Sequence, residues 1–479
     1  MKVSFNVLDG PWIPAVTAYG EEVLLGIRET LYKAHELREI SSASPLEEYA
    51  VYRFLGLFLM DALRPESEFD IEDLLEAGRF DPEAIENYIS LCRSEGVSFD
   101  LFDEKRPFLQ SPVDEKLDGS LKPVSILDCT KPSGNNHTHF LHKTALENSL
   151  APASAMRQLL TTYLFSTAAA QGYPSGVYGA PPYFGVIIGS SLFETLAHTL
   201  LPTNQIEIEL DDPQVLWRRN DPVIPKRDVG KTSWLQGMLF PNRRIRLVPD
   251  EKGNASGAYL CQGENFINKE SWRDPYVTYR RNKDKVFPMR PNSDRAIWRN
   301  LCDIIDTRGG TAAQLLSLYR ELSSNAAANL TLYGVETNNA SYLQICKHSL
   351  RLPLRILDSE DCSELLRLGI AAAEDLARSL GKALSSVNGL AESAGSAAVR
   401  QFYSLCENRF WKLCEAVSAN EPRKELYPEY CDDLSALALR SFSSAVSSAR
   451  LRAKTLAAAA EAQDQLYRSI GKLKKEAIQ

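Results

Sequence analysis

The spacing of hydrophobic residues changes character along the chain, and each change predicts a different kind of structure. Near the start Val3, Phe5 and Val7 alternate with polar residues, Trp12 and Ile13 follow, and Asp9-Gly10 lies between as a turn signal. That alternation predicts a short hairpin turning at Asp9-Gly10. From 45 to 62 the period lengthens, with Tyr49, Tyr52, Leu55, Leu59 and Leu63 recurring every three or four positions. This predicts a helix with a buried face. Pro45 in the first turn, Ser44 as cap, and Glu47 and Glu48 at the positive end of the dipole all suit a helix start. Residues 71 to 96 read as two short helices broken near Asp81-Pro82.

Roughly from 100 to 145, and again from 172 to 300, proline, glycine, asparagine and aromatic residues break any regular period. Short strands and long ordered loops are expected there. One helix, from about Ala151 to Ala170 with Pro152 in its first turn, interrupts this region. Past Leu354 proline nearly disappears and Ala, Leu and Ser take over. Ala372, Leu376, Leu380, Leu384 and Val387 make one helical stripe, and Val399, Phe402, Leu405, Phe410 and Leu413 a second. Asp432 or Asp433 would cap a third helix through Leu434, Leu437 and Phe442, and a fourth would cover Leu451 to Lys475. Breaks are expected near Asn388-Gly389, at Ala394-Gly395-Ser396 and over Asn420 to Tyr430. Four amphipathic helices with short connections describe an up-down bundle. The fold class is therefore α+β: a large mixed domain with long loops over 1–356, then a four-helix bundle over 357–479.

A chain of 479 residues exceeds one usual core, which agrees with that division. The start, MKVSFNVLDGPWIP, lacks the basic and cleavage features of a secretory signal. Apolar runs such as Phe54 to Met60 fall far short of the ~20 residues of a membrane span. The nine cysteines are scattered singly from Cys92 to Cys431 with no CxxC spacing. Free thiols in a reduced cytoplasm, with no membrane partner, are expected.

The formal net charge of −8 argues at first against nucleic acid, but the charge is unevenly spread. Residues 1 to 110 hold 22 Asp/Glu against 10 Lys/Arg, whereas 217 to 299 hold 18 Lys/Arg against 9 Asp/Glu. From Ser447 onward there are 7 Lys/Arg against 3 Asp/Glu. Such asymmetry leaves one region able to meet phosphates and another that repels them; solvated faces alone would also account for it.

Candidate chemistry is sparse. His137, His139 and His142 lie close together in KPSGNNHTHFLH, yet in a loop without a cysteine pair, and zinc needs about four ligands at defined spacing. No metal site and no cofactor are expected. GxSxG, HExxH and a phosphate loop are missing, and Gly230-Lys231-Thr232 lacks the upstream glycine of such a loop. No set of acid, base and oxyanion donors assembles, so an enzyme is not expected. Three loops instead look suited to binding. Lys131 to His142 offers Ser, Asn, His and Phe; QGYPSGVYGAPPY, 171 to 183, mixes glycines with tyrosines; GVETNNAS, 334 to 341, presents Asn338 and Asn339. Glycines let backbone amides approach a ligand, tyrosines can stack, and asparagines suit base edges. Turns are built of these same residues.

Several of these stretches resemble one family. FNVLDGPWIP resembles the opening of the CasA large-subunit family of type I-E CRISPR Cascade, with its W-I-P. SGNNHTHFLH looks like the family's first long loop, S-G-x-N-x-T-L-F-D-H. LAPASAMRQLLTTYLFSTAAAQG followed by GAPP looks like its helix and glycine-rich loop, and LYGVETNNASY resembles its Y-G-x-x-T-D-Q-A-K segment. Four blocks in order, with the bundle, span nearly the whole chain.

The resemblance implies a binding subunit that reads the protospacer-adjacent motif in double-stranded DNA from the minor groove, then helps open the duplex for guide RNA. On that basis Asn339 occupies the wedge position with Asn338 beside it, the glycine loop contact falls at Gly172 to Gly176, and Lys269 is the minor-groove lysine. Asn135, Asn136, His137, Thr138, His139 and Phe140 would touch the guide's 5′ end and a neighbouring subunit. Implied partners are the backbone, small inner and guide-end-capping subunits, the CRISPR guide RNA, target DNA and the helicase-nuclease. Two departures bear on motif preference: Asn339 is shorter than the family's glutamine, and Asn338 stands where aspartate is usual. Some relatives carry a zinc-binding cysteine cluster, whereas here only Cys261 is near. Two rival readings stay open, a non-reading scaffold and a metal-dependent hydrolase using His137, His139 and His142.

Overall fold

A computed structural model describes residues 3–114, 119–128, 149–167, 176–205, 215–283, 285–338, 341–419, 422–447 and 453–478. It divides into two compact units. The first holds Met1–Pro291, Ala312–Ser323 and Asn329–Leu350; the second holds Asn292–Thr311, Ser324–Ala328 and Arg351–Gln479.

The first unit opens with strands β1 (Ile13–Thr17), β2 (Glu22–Leu25) and β3 (Leu37–Ile40), antiparallel in the order β2-β1-β3. The first hairpin therefore turns between β1 and β2, where Gly20 has φ +86°, and not at Asp9-Gly10. Residues 6 to 10 close a tighter local turn: Leu8 N–H donates to Asn6 Oδ1 at 3.0 Å and Gly10 N–H to the Asn6 carbonyl at 2.7 Å. The alternating residues before it pair at long range, with Val7 N–H on the Phe99 carbonyl at 2.8 Å and Leu101 N–H on that of Phe5 at 2.9 Å. A turn signal marks a turn, but only tertiary contacts decide what pairs across it.

Helix α1 (Pro45–Leu63) matches its expected span, yet it is buried on every face: all residues from Leu46 to Asp61 are inside. The positions between the predicted stripe are themselves apolar (Val51, Phe54, Phe58), so no side is left for water. Four charged residues are carried in with them. Glu47 accepts from Arg157 Nε at 2.8 Å, and Glu48 from Lys347 Nζ at 2.8 Å and the Tyr333 hydroxyl at 2.6 Å. Arg53 forms a two-pronged pair with Asp274 that is almost wholly enclosed, and Asp61 accepts from Arg218 Nη1 at 2.9 Å and the Tyr88 hydroxyl at 2.7 Å. Glu47 and Glu48 thus act as buried counterions rather than as surface charges on the helix dipole.

Helices α2 (Glu68–Ala77) and α3 (Pro82–Ser94) break where expected, with Asp81 accepting from Glu83 N–H at 3.0 Å and Pro82 opening the helix. Helix α4 (Pro152–Phe165) is shorter than the predicted span. Ser166 turns extended (ψ 136°), which ends the helix, and its hydroxyl donates to the Thr162 carbonyl.

The loop-rich middle contains strand β4 (Phe184–Ile187), the antiparallel pair β5 (Arg243–Pro249) and β6 (Ala255–Gln262), and the hairpin β7 (Tyr279–Asn282) to β8 (Lys285–Pro288). Two long strands follow, β9 (Ala327–Asn338) and β10 (Ser341–Pro353), in a sheet ordered β10-β9-β4. Their two-residue connection requires an antiparallel hairpin. Much of the basic charge of this region is internal. Arg243 and Arg246 are buried and donate to the Thr167 and Asp103 carbonyls at 2.9 and 2.6 Å, and Arg244 donates to that of Ile224. Arg219 and Arg227 converge on the buried Glu264 at 3.0 and 2.9 Å.

The second unit contains helices α5 (Glu360–Ser385), α6 (Glu392–Ser418), α7 (Arg423–Ser447) and α8 (Ala453–Ile478). Helix α5 packs against the other three, and α7 against α6 and α8, as a bundle requires. The α5 stripe is buried as expected. On α6 the inward residues are Phe402, Cys406, Phe410, Leu413 and Cys414, while Val399 and Leu405 are half-buried. Ala394-Gly395-Ser396 is no break but lies in the first turn of α6. A Cβ on Gly395 would lie 3.6 Å from Leu384 Cβ, an ordinary contact, so α6 lies against Leu384 at the C-terminal end of α5. Helix α7 also starts earlier than expected and runs through Pro428, whose missing N–H falls near the exposed start of the helix. Burial pushes the Cys406 thiol up to about 12 and that of Cys431 to about 11, so both stay protonated.

Removing one member of a buried ion pair leaves an uncompensated charge. Asp274→Ala should therefore cost about 3–5 kcal/mol in urea denaturation, because Arg53 is left buried without a carboxylate. Replacing Arg53 by Met in the same chain should recover a large part of that loss; a double variant no more stable than Asp274→Ala would contradict this account.

Candidate nucleic-acid interface

The part of the glycine-rich loop that is described runs from Gly176 to Tyr183, and its back is fixed from several sides. A Cβ on Gly176 would stand 2.8 Å from Nδ2 of the buried Asn242, so only glycine lets the chain pass here unchanged. The Tyr178 hydroxyl donates to Asp274 and accepts from Arg53 Nη2 at 3.4 Å, making a third member of the buried Arg53–Asp274 pair. Its ring lies edge-on to Phe184 and Trp272, with centroids 5.4 and 5.9 Å apart. Burial, then the Asp274 charge, pushes the Tyr178 phenol well above its usual range, so it remains a donor. Asp274 also orders its own segment by accepting from Tyr276 N–H at 2.8 Å. One buried carboxylate thus ties α1, the glycine loop and the chain around 273–279 together.

Across this fixed back the outer side is cationic. Gly179 has φ +83°, and a Cβ there would lie 3.4 Å from Arg290 Nη2 and 3.6 Å from Lys269 Nζ. Lys269 and Arg290 are exposed residues, and the Arg290 Nη2 donates to the Tyr178 carbonyl at 3.4 Å. Partial burial and the neighbouring Arg290 charge hold the Lys269 ammonium below its usual range. The structure therefore brings Lys269 to the glycine loop, although the two are far apart in sequence.

Asn338 sits on another element, exposed at the end of β9 where the hairpin to β10 turns. The stem of that hairpin is anchored inside. Tyr333 and Lys347 meet Glu48, and the Tyr342 hydroxyl donates to the Phe165 carbonyl at 2.9 Å. At Gly334 a Cβ would stand 2.5 Å from Pro291 Cγ and 3.1 Å from Tyr183 Cδ1, so the stem lies against the end of the glycine loop and the residue after Arg290. Gly172, Asn339 and the first loop, Asn135 to Phe140, lie outside the described residues, as do His137, His139 and His142 of the rival metal reading. Among the described residues, no group of three or more His, Cys, Asp or Glu could hold a metal ion. No described helix is long and apolar enough to cross a membrane.

Sequence reasoning misses Arg290, Tyr178, Asp274 and Arg53. Tyr178 stands inside a loop that its glycines and tyrosines mark, but Arg290 is one of 18 basic residues between 217 and 299 with nothing to distinguish it.

The family model for CRISPR-associated protein Cse1 matches residues 6–441. The chain belongs to the Cse1, or CasA, family of type I-E Cascade. A CRISPR-associated protein CasA/Cse1 of Thermus thermophilus is 29% identical over 399 residues, 78% of this chain and 76% of that protein. The solved structure of Thermus thermophilus CasA (Cse1) superposes with a TM-score of 0.80 at 23% identity, covering 98% of this chain and 100% of that one. Thermobifida fusca Cse1 gives 0.80 at 20% identity, covering 99% and 98%. A chain of a CRISPR RNA-guided surveillance complex gives 0.79 at 20% identity, covering 97% and 99%. The Cse1 fold thus extends over this chain from end to end, including the mixed α and β architecture and the helical C-terminal region.

Tyr178→Phe removes a hydroxyl bonded to a buried charge without creating a cavity. It should lower unfolding free energy by about 1–3 kcal/mol and hasten proteolytic cleavage of the glycine loop, read by denaturation and limited proteolysis of the two proteins.

Proposed function

We propose that this Cse1-family chain is the subunit that reads the protospacer-adjacent motif in double-stranded DNA within a type I-E surveillance complex, and that it nucleates duplex opening for the guide RNA. The observation that carries this reading is the meeting of Lys269, Arg290 and the Gly176–Gly179 backbone, with the stem of the Asn338 hairpin against the same loop. Cations beside a glycine-bearing backbone suit the minor groove, whose pattern separates mainly A·T from G·C. Several related motifs would then be accepted. The wedge is Asn339, next in the chain to Asn338, beyond a stem held by the Lys347–Glu48 ion pair and the Tyr333 and Tyr342 hydroxyls. Unstacking one base step costs a few kcal/mol, and guide pairing then exchanges one duplex for another at nearly equal energy, so the protein has mainly to start the process.

In this reading the protein binds rather than catalyses. The loop from Asn135 to Phe140 contacts the guide's 5′ end and a neighbouring subunit. The bundle meets the displaced strand and the inner subunits, and the assembled complex recruits the helicase-nuclease in the cytoplasm. The chain's net charge of −8 limits indiscriminate DNA binding, which suits a scanner that must leave wrong sites quickly.

The test is target binding by the reconstituted complex at fixed salt, with duplexes that carry or lack candidate motifs. Wild-type complex should select a motif, Lys269→Ala should flatten that selection, and Asn339→Ala should bind but fail to open the duplex, seen by permanganate reactivity of unpaired thymines. Equal binding and opening by all three proteins would favour a non-reading scaffold.

A further inference from the structure

Arg290 stands out among the exposed cations because its backbone is held and its side chain is not enclosed. Met289 before it is fully buried, with its N–H on the Thr278 carbonyl and its own carbonyl accepting from Tyr183 N–H, both at 2.8 Å. Pro291 after it is buried and lies against Gly334 of the hairpin stem. The residue between them projects an exposed guanidinium. Among the described residues its hydrogen bond is the long one, 3.4 Å, to the Tyr178 carbonyl. A guanidinium has five N–H donors, so most of its capacity stays directed outward.

Its surroundings favour an anion over a protein partner. Gly179 carries no side chain to cover the two cations, and any Cβ there would touch both. An arginine fork matches the oxygens of a phosphate better than a lysine does. A rigid backbone lowers the entropy lost when such a contact forms.

We propose that Arg290 binds a backbone phosphate of the target duplex, at the edge of the groove that Lys269 enters. The proposal rests on the DNA-reading function above and deepens it. Lys269 then contributes to motif choice, while Arg290 sets the position of the duplex without regard to sequence.

The test uses the complete reconstituted complex with wild-type protein, Arg290→Gln, Arg290→Lys and Lys269→Ala. Affinity for duplexes with and without the motif is measured from 50 to 200 mM salt. Glutamine keeps an N–H donor for the Tyr178 carbonyl but removes the charge. Arg290→Gln should weaken both duplexes alike, by about tenfold, and reduce the slope of log affinity against log salt by about one. Arg290→Lys should restore the slope. An unchanged slope in Arg290→Gln would overturn the proposal and leave Arg290 as a brace for the loop. Weakening confined to the motif duplex would also overturn it, in favour of base reading. If wild-type complex shows no motif preference, the motif-reading function fails, and the Arg290→Gln slope still decides whether a phosphate is bound.

Discussion

The first unit is organised around a helix that has no outside. Every residue of α1 from Leu46 to Asp61 is buried, and the four charges among them must find partners inside the protein. Desolvating a charge costs several kcal/mol, and leaving it alone inside costs more than pairing recovers. Each of the four takes its partner from a different stretch of chain. Glu47 takes Arg157 of α4, Glu48 takes Lys347 of β10 and Tyr333 of β9, Arg53 takes Asp274, and Asp61 takes Arg218. The apolar faces of α1 would tolerate small slips of the segments packed on them. The charges do not, because a slip of one residue strands a carboxylate or a guanidinium.

The glycine loop and the hairpin of β9 and β10 are extensions of those pairings. Asp274 holds Tyr178 and so the glycine loop, and Glu48 holds both strands of the hairpin that ends at Asn338. Gly334 brings the stem against Tyr183 and Pro291. Loops that would otherwise move separately therefore share one buried support. Such preorganisation suits the reading role proposed above, in which groups must already be in place when a duplex arrives.

Regular elements were the most legible part of the sequence. The stripe from Ala372 to Val387 and the Ser44-Pro45 start of α1 carry local signals strong enough to survive folding. Where local signals misled, a distant partner had won. Asp9-Gly10 marks a turn, but Phe5 and Val7 pair with residues near 100. Glu47 and Glu48 look like ordinary first-turn acids, and nothing nearby in sequence reveals Arg157 or Lys347. Gly395 looks like a helix breaker, yet it lies inside α6, which packs against α5. At the interface, Lys269 could be named through family resemblance. Arg290 could not, because buried Arg243 and Arg244 are arginines of the same basic stretch, and only tertiary structure separates the two kinds.

The hairpin of β9 and β10 separates support from tip. Its anchors, Tyr333, Tyr342 and Lys347, all lie behind the turn, and none of them belongs to the turn itself. A tip built this way can change its chemistry in single steps while the rest of the molecule stays intact. If the tip reads a motif, as proposed above, that is a route to altered recognition through intermediates that keep the fold.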